Sequence, residues 1–273
     1  VKLPSGVQAQ VQRHLLGVLM RGLVPAVAGL LLCSACATTR NHQSNAGPTI
    51  TVEASLKRTE HLIAAYDEVQ SILEDPGFAE NLKKLDGYPL ATSADTDCRT
   101  TTASEVLTAL RSRLPTHRLE SRYSLFHPFS TAATTVCAST SVNTRRIDFW
   151  EQTNPRQRGT LINTLAHEMT HLLPGGETAC SSASNGAYTD AGHDACAADA
   201  AQCNDAFLVS YVWGDLVECA YREKQGVIPK GEFHSCFLGL VNSSDVSRTT
   251  LTPAFKQPSD ACKNIKKWSA ETP

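Results

Sequence analysis

Apolar residues recur at helical spacing between residues 56 and 74, where Leu62, Tyr66, Val69 and Leu73 form one stripe and Pro76-Gly77 closes it. A second helix is predicted over 103–114, with Val106, Leu107, Leu110 and Leu114 inward and Pro115 as the stop. Residues 121–151 mix Tyr, Phe, Thr and Val without a helical period, which predicts short strands, the last near Arg146–Trp150. A stronger helix is predicted from about Arg156 to Leu173, ended by Pro174-Gly175-Gly176. Residues 174–197 read as a long loop. A further helix is predicted over about 198–224, with Ala206, Val209, Trp213, Leu216 and Ala220 at helical spacing. The tail to Pro273 reads as irregular, and there is no internal repeat.

The start of the chain has a different character. Residues 1–35 hold Lys2, Arg13 and Arg21 and no acid. Met20-Arg21 precedes an apolar run, Gly22–Leu32, followed by Cys33-Ser34-Ala35-Cys36. Small residues before Cys36 resemble a bacterial lipobox, although Cys33 stands where that pattern usually has Leu. The resemblance implies a leader over 1–35, with Met20 giving a more usual leader length than Val1, and a lipid on Cys36. Residues 36–50 are polar and small, as a lipidated tether would be, which leaves 51–273 as the domain. The expected location is the bacterial envelope, anchored to the membrane at Cys36. A cleaved secretory signal is the alternative, and it too places the domain outside the cytoplasm.

Composition narrows the class. Hydrophobic residues are 41% and charged residues 19%, a balance that excludes wholesale disorder. No apolar run reaches the roughly 18–20 residues of a membrane-spanning helix. Beyond the leader, 22 basic residues face 27 acids, so nucleic acid is not an expected partner. Ten cysteines point to an oxidising compartment.

The chemistry lies in the strong helix, at His167-Glu168-Met169-Thr170-His171, an H-E-x-x-H motif. A helical turn takes 3.6 residues, so His167 and His171 project from one face. Two neutral imidazoles at that spacing can grip one Zn²⁺. Glu168 points to an adjacent direction, where it can take a proton from water as the metal activates that water for attack. Uncharged residues at 164–166 and 169–170, and apolar Leu161, Ile162 and Leu165, give the helix a buried face.

Two histidines leave the site incomplete, and several residues could supply the third ligand. Glu177 lies six positions after His171, Glu218 lies 47 positions after it on the later helix, and His193 and Asp190 lie in the intervening loop. The segment Gly186-Ala187-Tyr188-Thr189-Asp190-Ala191-Gly192-His193-Asp194 resembles the G-T-x-x-D-x-x-Y-G signature of the aspzincins, the deuterolysins and lysine-specific metallo-endopeptidases. Gly186 and Asp190 match, whereas Ala187, His193 and Asp194 replace Thr, Tyr and Gly. Asn204-Asp205-Ala206 and Tyr211 loosely resemble the N-A-D-x-Y helix that follows it. The resemblance covers about residues 160–215. It implies Asp190 as third ligand, with Glu218 the alternative, and puts His193 at the position of the tyrosine that stabilises the tetrahedral intermediate.

Eight cysteines remain beyond the leader, at 98, 137, 180, 196, 203, 219, 236 and 262, with no C-x-x-C among them. Four disulfides are expected rather than a structural zinc site, and a Cys180–Cys196 bridge would pin the loop that carries Asp190. The expected fold is α+β and zincin-like: an active-site helix, a small sheet before it and a disulfide-stapled helical second half. The expected function is extracytoplasmic, zinc-dependent hydrolysis of peptide bonds, with protein or peptide as substrate. The alternative is a non-catalytic, disulfide-rich envelope lipoprotein or binding module that keeps the H-E-x-x-H helix.

Overall fold

The computed structural model describes residues 37–44, 47–87, 90–92, 100–123, 132–135, 137–175, 186–190 and 208–241. The leader, Cys36, Glu177, Cys180, His193 and Cys196 lie outside the described residues. The described residues form an α+β fold with a five-stranded sheet, a two-stranded sheet and seven α-helices. No described helix is long and apolar enough to cross a membrane.

The chain enters through β1 (Thr38–Gln43) and β2 (Thr49–Ala54), then α1 (Leu56–Glu74) and α2 (Pro76–Lys83). The short strands β3 (Leu90–Ala91) and β4 (Thr100–Thr101) pair antiparallel and lead to α3 (Ala103–Arg113). Three strands follow: β5 (His117–Arg122), β6 (Ala132–Thr135) and β7 (Ser139–Asn143). After them come α4 (Thr144–Asp148), a 3₁₀ turn (Phe149–Glu151), α5 (Pro155–Leu172), α6 (Val209–Lys224) and α7 (Phe233–Val241). The sheet order is β1-β2-β5-β7-β6, with β2, β5 and β7 parallel and the edge strand β6 antiparallel to β7.

Local chemistry sets the helix boundaries. All four residues of the α1 stripe are buried. Asp75 ends α1 and begins α2, its carboxylate accepting from the Gly77 amide with Pro76 in the first turn. Thr102 and Glu105 form a reciprocal capping box at the start of α3. The Asn154 carboxamide accepts from the Arg156 amide and Pro155 follows, which fixes where α5 starts. The packing of α5 against α6 is the most extensive contact between elements. Their shared core includes Trp213, which meets Phe78 edge-on at 5.8 Å, and Phe78 in turn meets Phe233 at 6.0 Å.

Three sequence expectations are corrected. Residues 146–150, expected as a strand, are helical, because the Asn143 side chain caps the Arg145 amide and starts a turn that buries Ile147 on one side only. The tail is not wholly irregular: α7 buries Phe233 and Phe237, four residues apart, and its Cys236 is bonded to Cys219 of α6. Residues 38–43, expected within a tether, form the edge strand β1, and residues 49–50 already belong to β2, so the folded sheet starts before residue 51. The polar composition of β1 fits an edge position, where most of its residues stay exposed.

His117 at the start of β5 is buried among apolar groups, with its ring 5.8 Å from that of Tyr66. Its Nδ1 donates to the Pro115 carbonyl, and its Nε2 is buried without a partner. Burial holds the imidazole down at about 4 against an ordinary 6.5, opposed only by the Pro115 hydrogen bond. A depressed histidine contributes stability that is complete above pH 6.5 and is lost as pH falls towards 4. Two and a half units at 1.36 kcal/mol each make this about 3 kcal/mol. Denaturant unfolding at pH 7 and pH 4 should show a loss smaller by about that amount in His117→Phe. Equal losses in both proteins would acquit His117.

Candidate metal centre

The site forms where the C-terminal half of α5 meets the returning segment 186–190. Pro174 ends the helix, Gly186 pairs with it in an isolated antiparallel bridge, and the Ala187 amide donates to the Leu173 carbonyl. The Thr189 amide is held by the Thr92 carbonyl next to β3. The segment is thus fixed at both ends although it has no regular structure, and Asp190 follows directly.

His167 and His171 sit one turn apart, their rings edge-on at 4.9 Å. Their Nε2 atoms are 3.1 Å apart. Asp190 Oδ2 lies 3.1 Å from His167 Nε2 and 3.3 Å from His171 Nε2. Three donor atoms at bond lengths of about 2.0–2.1 Å around a tetrahedral ion would stand about 3.3 Å apart, the edge of that tetrahedron. The observed triangle has nearly that size, and its donors are the nitrogen and carboxylate oxygen types that zinc takes. The residues present therefore fit a zinc ion.

Each donor is held from behind. His171 Nδ1 donates to the Tyr188 carbonyl at 3.0 Å, which leaves the Nε2 lone pair aimed at the triangle. The Ser210 hydroxyl, in the first turn of α6, donates to Asp190 Oδ1 and so turns Oδ2 inward. The Tyr211 ring packs edge-on against His167 at 4.7 Å. Burial presses the His171 imidazole down, but the hydrogen bond and charge of Asp190, the charge of Glu168 and the Tyr188 carbonyl outweigh it and raise it to about 9. Burial pushes Asp190 up, and the hydrogen bonds and charges of the two histidines hold it far below the usual carboxylate range. A cation entering the triangle would have to displace the proton that Asp190 favours on His171.

Glu168 is buried beside the trio, and its Oε2 accepts from the Thr134 hydroxyl of β6 at 2.5 Å. A cleft of about 310 Å³ runs along this side, lined by Ala132, Thr134, Glu168, His171, Tyr188 and Asp190 among others. The open edge of the site is therefore the edge of the sheet.

The structure does not bring Glu218 to the trio. Its Oε2 accepts from Asn163 and its Oε1 from Arg222, in a buried network that also joins Asn163 to Asp215. Burial pushes the Glu218 carboxyl up, with Arg222 opposing. Gly159 and Gly214 make room for this network, since a Cβ at either would press on Glu218 or Asn163. Thr134 and Ser210, both absent from the sequence expectations, carry no local signal: each becomes part of the site only when distant elements meet. A second cluster, His61 with Asp148 and Glu151, lies apart from the cleft. Arg58 grips Asp148 through two hydrogen bonds and Lys57 pairs with Glu151, so its carboxylates are already neutralised.

No protein-family model matches the chain, and no curated protein or solved structure matches it either.

Proposed function

We propose that the protein is a zinc-dependent peptidase of zincin-like architecture, acting outside the cytoplasm. The single observation that carries this reading is the triangle of His167 Nε2, His171 Nε2 and Asp190 Oδ2 beside the buried carboxylate of Glu168. His167, His171 and Asp190 would hold the ion. A bound zinc ion polarises a carbonyl and lowers the pKa of the attacking water to about 7. Glu168 would take the proton from the attacking water and deliver it to the leaving amine. Thr134 and Tyr188 flank the cleft in which the peptide would lie. The edge strand β6, antiparallel to its neighbour and adjacent to α5, fits the small sheet expected before an active-site helix. The Cys219–Cys236 bond between α6 and α7 suits an oxidising location. Attachment through a lipid on Cys36 remains part of the proposal.

The test is metal analysis joined to casein cleavage. The purified chain should hold one zinc, lose it to a chelator, and lose both zinc and cleavage in a His167→Ala, His171→Ala double mutant. Zinc content unchanged in that mutant would remove the site. Zinc bound with no cleavage of any protein substrate would favour a binding module.

A further inference from the structure

We propose that Thr134, on the edge strand β6, is a positioning residue that holds Glu168 in its working orientation; this rests on the peptidase reading above. Glu168 has two oxygens and one hydroxyl partner. Thr134 donates to Oε2, while Oε1 makes no hydrogen bond among the described residues. A buried carboxylate without partners would rotate or draw in water. Fixing Oε2 to the sheet would leave Oε1 as the oxygen free to take the proton.

The hydroxyl is itself held. Thr134 lies directly opposite Thr140 of β7, and their Oγ1 atoms are 2.8 Å apart. The single Thr134 proton goes to the carboxylate, so the buried Thr140 hydroxyl must be the donor of that contact. The chain Thr140 to Thr134 to Glu168 is therefore directional, and it ends on the base. Cross-strand threonine pairs are ordinary sheet chemistry. Here the pair has a carboxylate of the active-site helix at its end, at the cleft wall. The pleat contributes as well: Ala132 and Thr134 are half-buried on the helix side, while Ala133 and Thr135 are exposed. A one-residue slip of β6 would present Ala133 or Thr135 to Glu168.

The experiment compares Thr134→Val, which keeps the shape and removes the hydroxyl, with Thr134→Ser, which returns it. Zinc content and Tm are measured first, and kcat is taken per bound zinc. Thr134→Val should lower kcat about tenfold or more with KM unchanged, and Thr134→Ser should restore most of it. The second readout is independent of turnover. Acetohydroxamate chelates zinc and donates a hydrogen bond to a neighbouring carboxylate, so its affinity for the zinc-loaded Thr134→Val protein should fall about tenfold, and recover in Thr134→Ser. Should Thr134→Val not fold, Thr134→Ala stands in. Wild-type kcat and hydroxamate affinity in the valine variant overturn the proposal, as does a serine variant as impaired as the valine one. Zinc and hydroxamate binding by a wild-type chain that cleaves no peptide rejects the peptidase reading, and the hydroxamate ratio alone then decides Thr134. A wild-type chain without zinc removes both.

Discussion

Glu168→Gln should keep its zinc and lose roughly 10²–10⁴ of its peptidase rate, the span that general-base groups contribute. The substitution is close to isosteric. The carboxamide oxygen can still accept from Thr134, so the contact to β6 and the packing of α5 survive. The NH₂ group then takes the place of Oε1, where it can donate but cannot accept a proton. Zinc content should stay at one per chain, because Glu168 stands outside the donor triangle. Stability should change little, since an uncharged amide in a buried place costs no more than a carboxylate with one hydroxyl partner. The measurement is kcat per bound zinc on casein. A rate equal to wild type would show that another group takes the proton. Loss of zinc would show that Glu168 supports the metal rather than the chemistry.

The legible part of this molecule is the part with a period. The α1 stripe and the turn between His167 and His171 follow from residues three and four apart, and the sequence states both directly. Proline and asparagine mark the start of α5 in the same local way. Strand β5 is the opposite case: His117-Arg118-Leu119-Glu120-Ser121-Arg122 reads as a polar stretch, yet it lies between β2 and β7 with His117 and Leu119 buried. A central strand this short buries only two of its side chains, too few to announce it. Strand β1 is illegible for another reason, since an edge in water needs no apolar face. The site divides along the same line. The two histidines and Glu168 share one helix, whereas Thr134 and Ser210 reach it from 34 and 20 residues away in the chain, measured from Glu168 and Asp190 respectively. Such contacts depend on topology, and a hydroxyl in a threonine-rich strand looks like any other until the sheet is built. Asp190 is intermediate, because a partial signature singled it out from the other loop residues while its position depends on the bridge between Pro174 and Gly186.

Among three substitutions around the proposed zinc site, the expected order of zinc loss is Asp190→Ala, then Ser210→Ala, then Glu218→Gln. Asp190→Ala deletes a donor atom and leaves two imidazoles, and affinity should fall by more than about 100-fold. Ser210→Ala keeps every donor but removes the hydroxyl that aims Asp190, and a loss of about 10–100-fold is expected for an outer partner of a ligand. Glu218→Gln should leave affinity within a few fold. Glu218 is fixed by Asn163 and Arg222 on the face shared by α5 and α6, and its amide can accept from either. A rigid helix positions a ligand better than a loop does, which is the argument for Glu218 from sequence alone. The bridged segment 186–190 weighs against it: the loop is pinned through Ala187 and Thr189, and Ser210 holds the carboxylate. Competition titration against a chromophoric chelator would measure all three. Retention of zinc in Asp190→Ala with its loss in Glu218→Gln would reverse the assignment and require α6 to turn about its axis relative to α5. The close approach of Glu218 to Gly159 and of Asn163 to Gly214 shows how tightly the two helices are fitted in the present orientation.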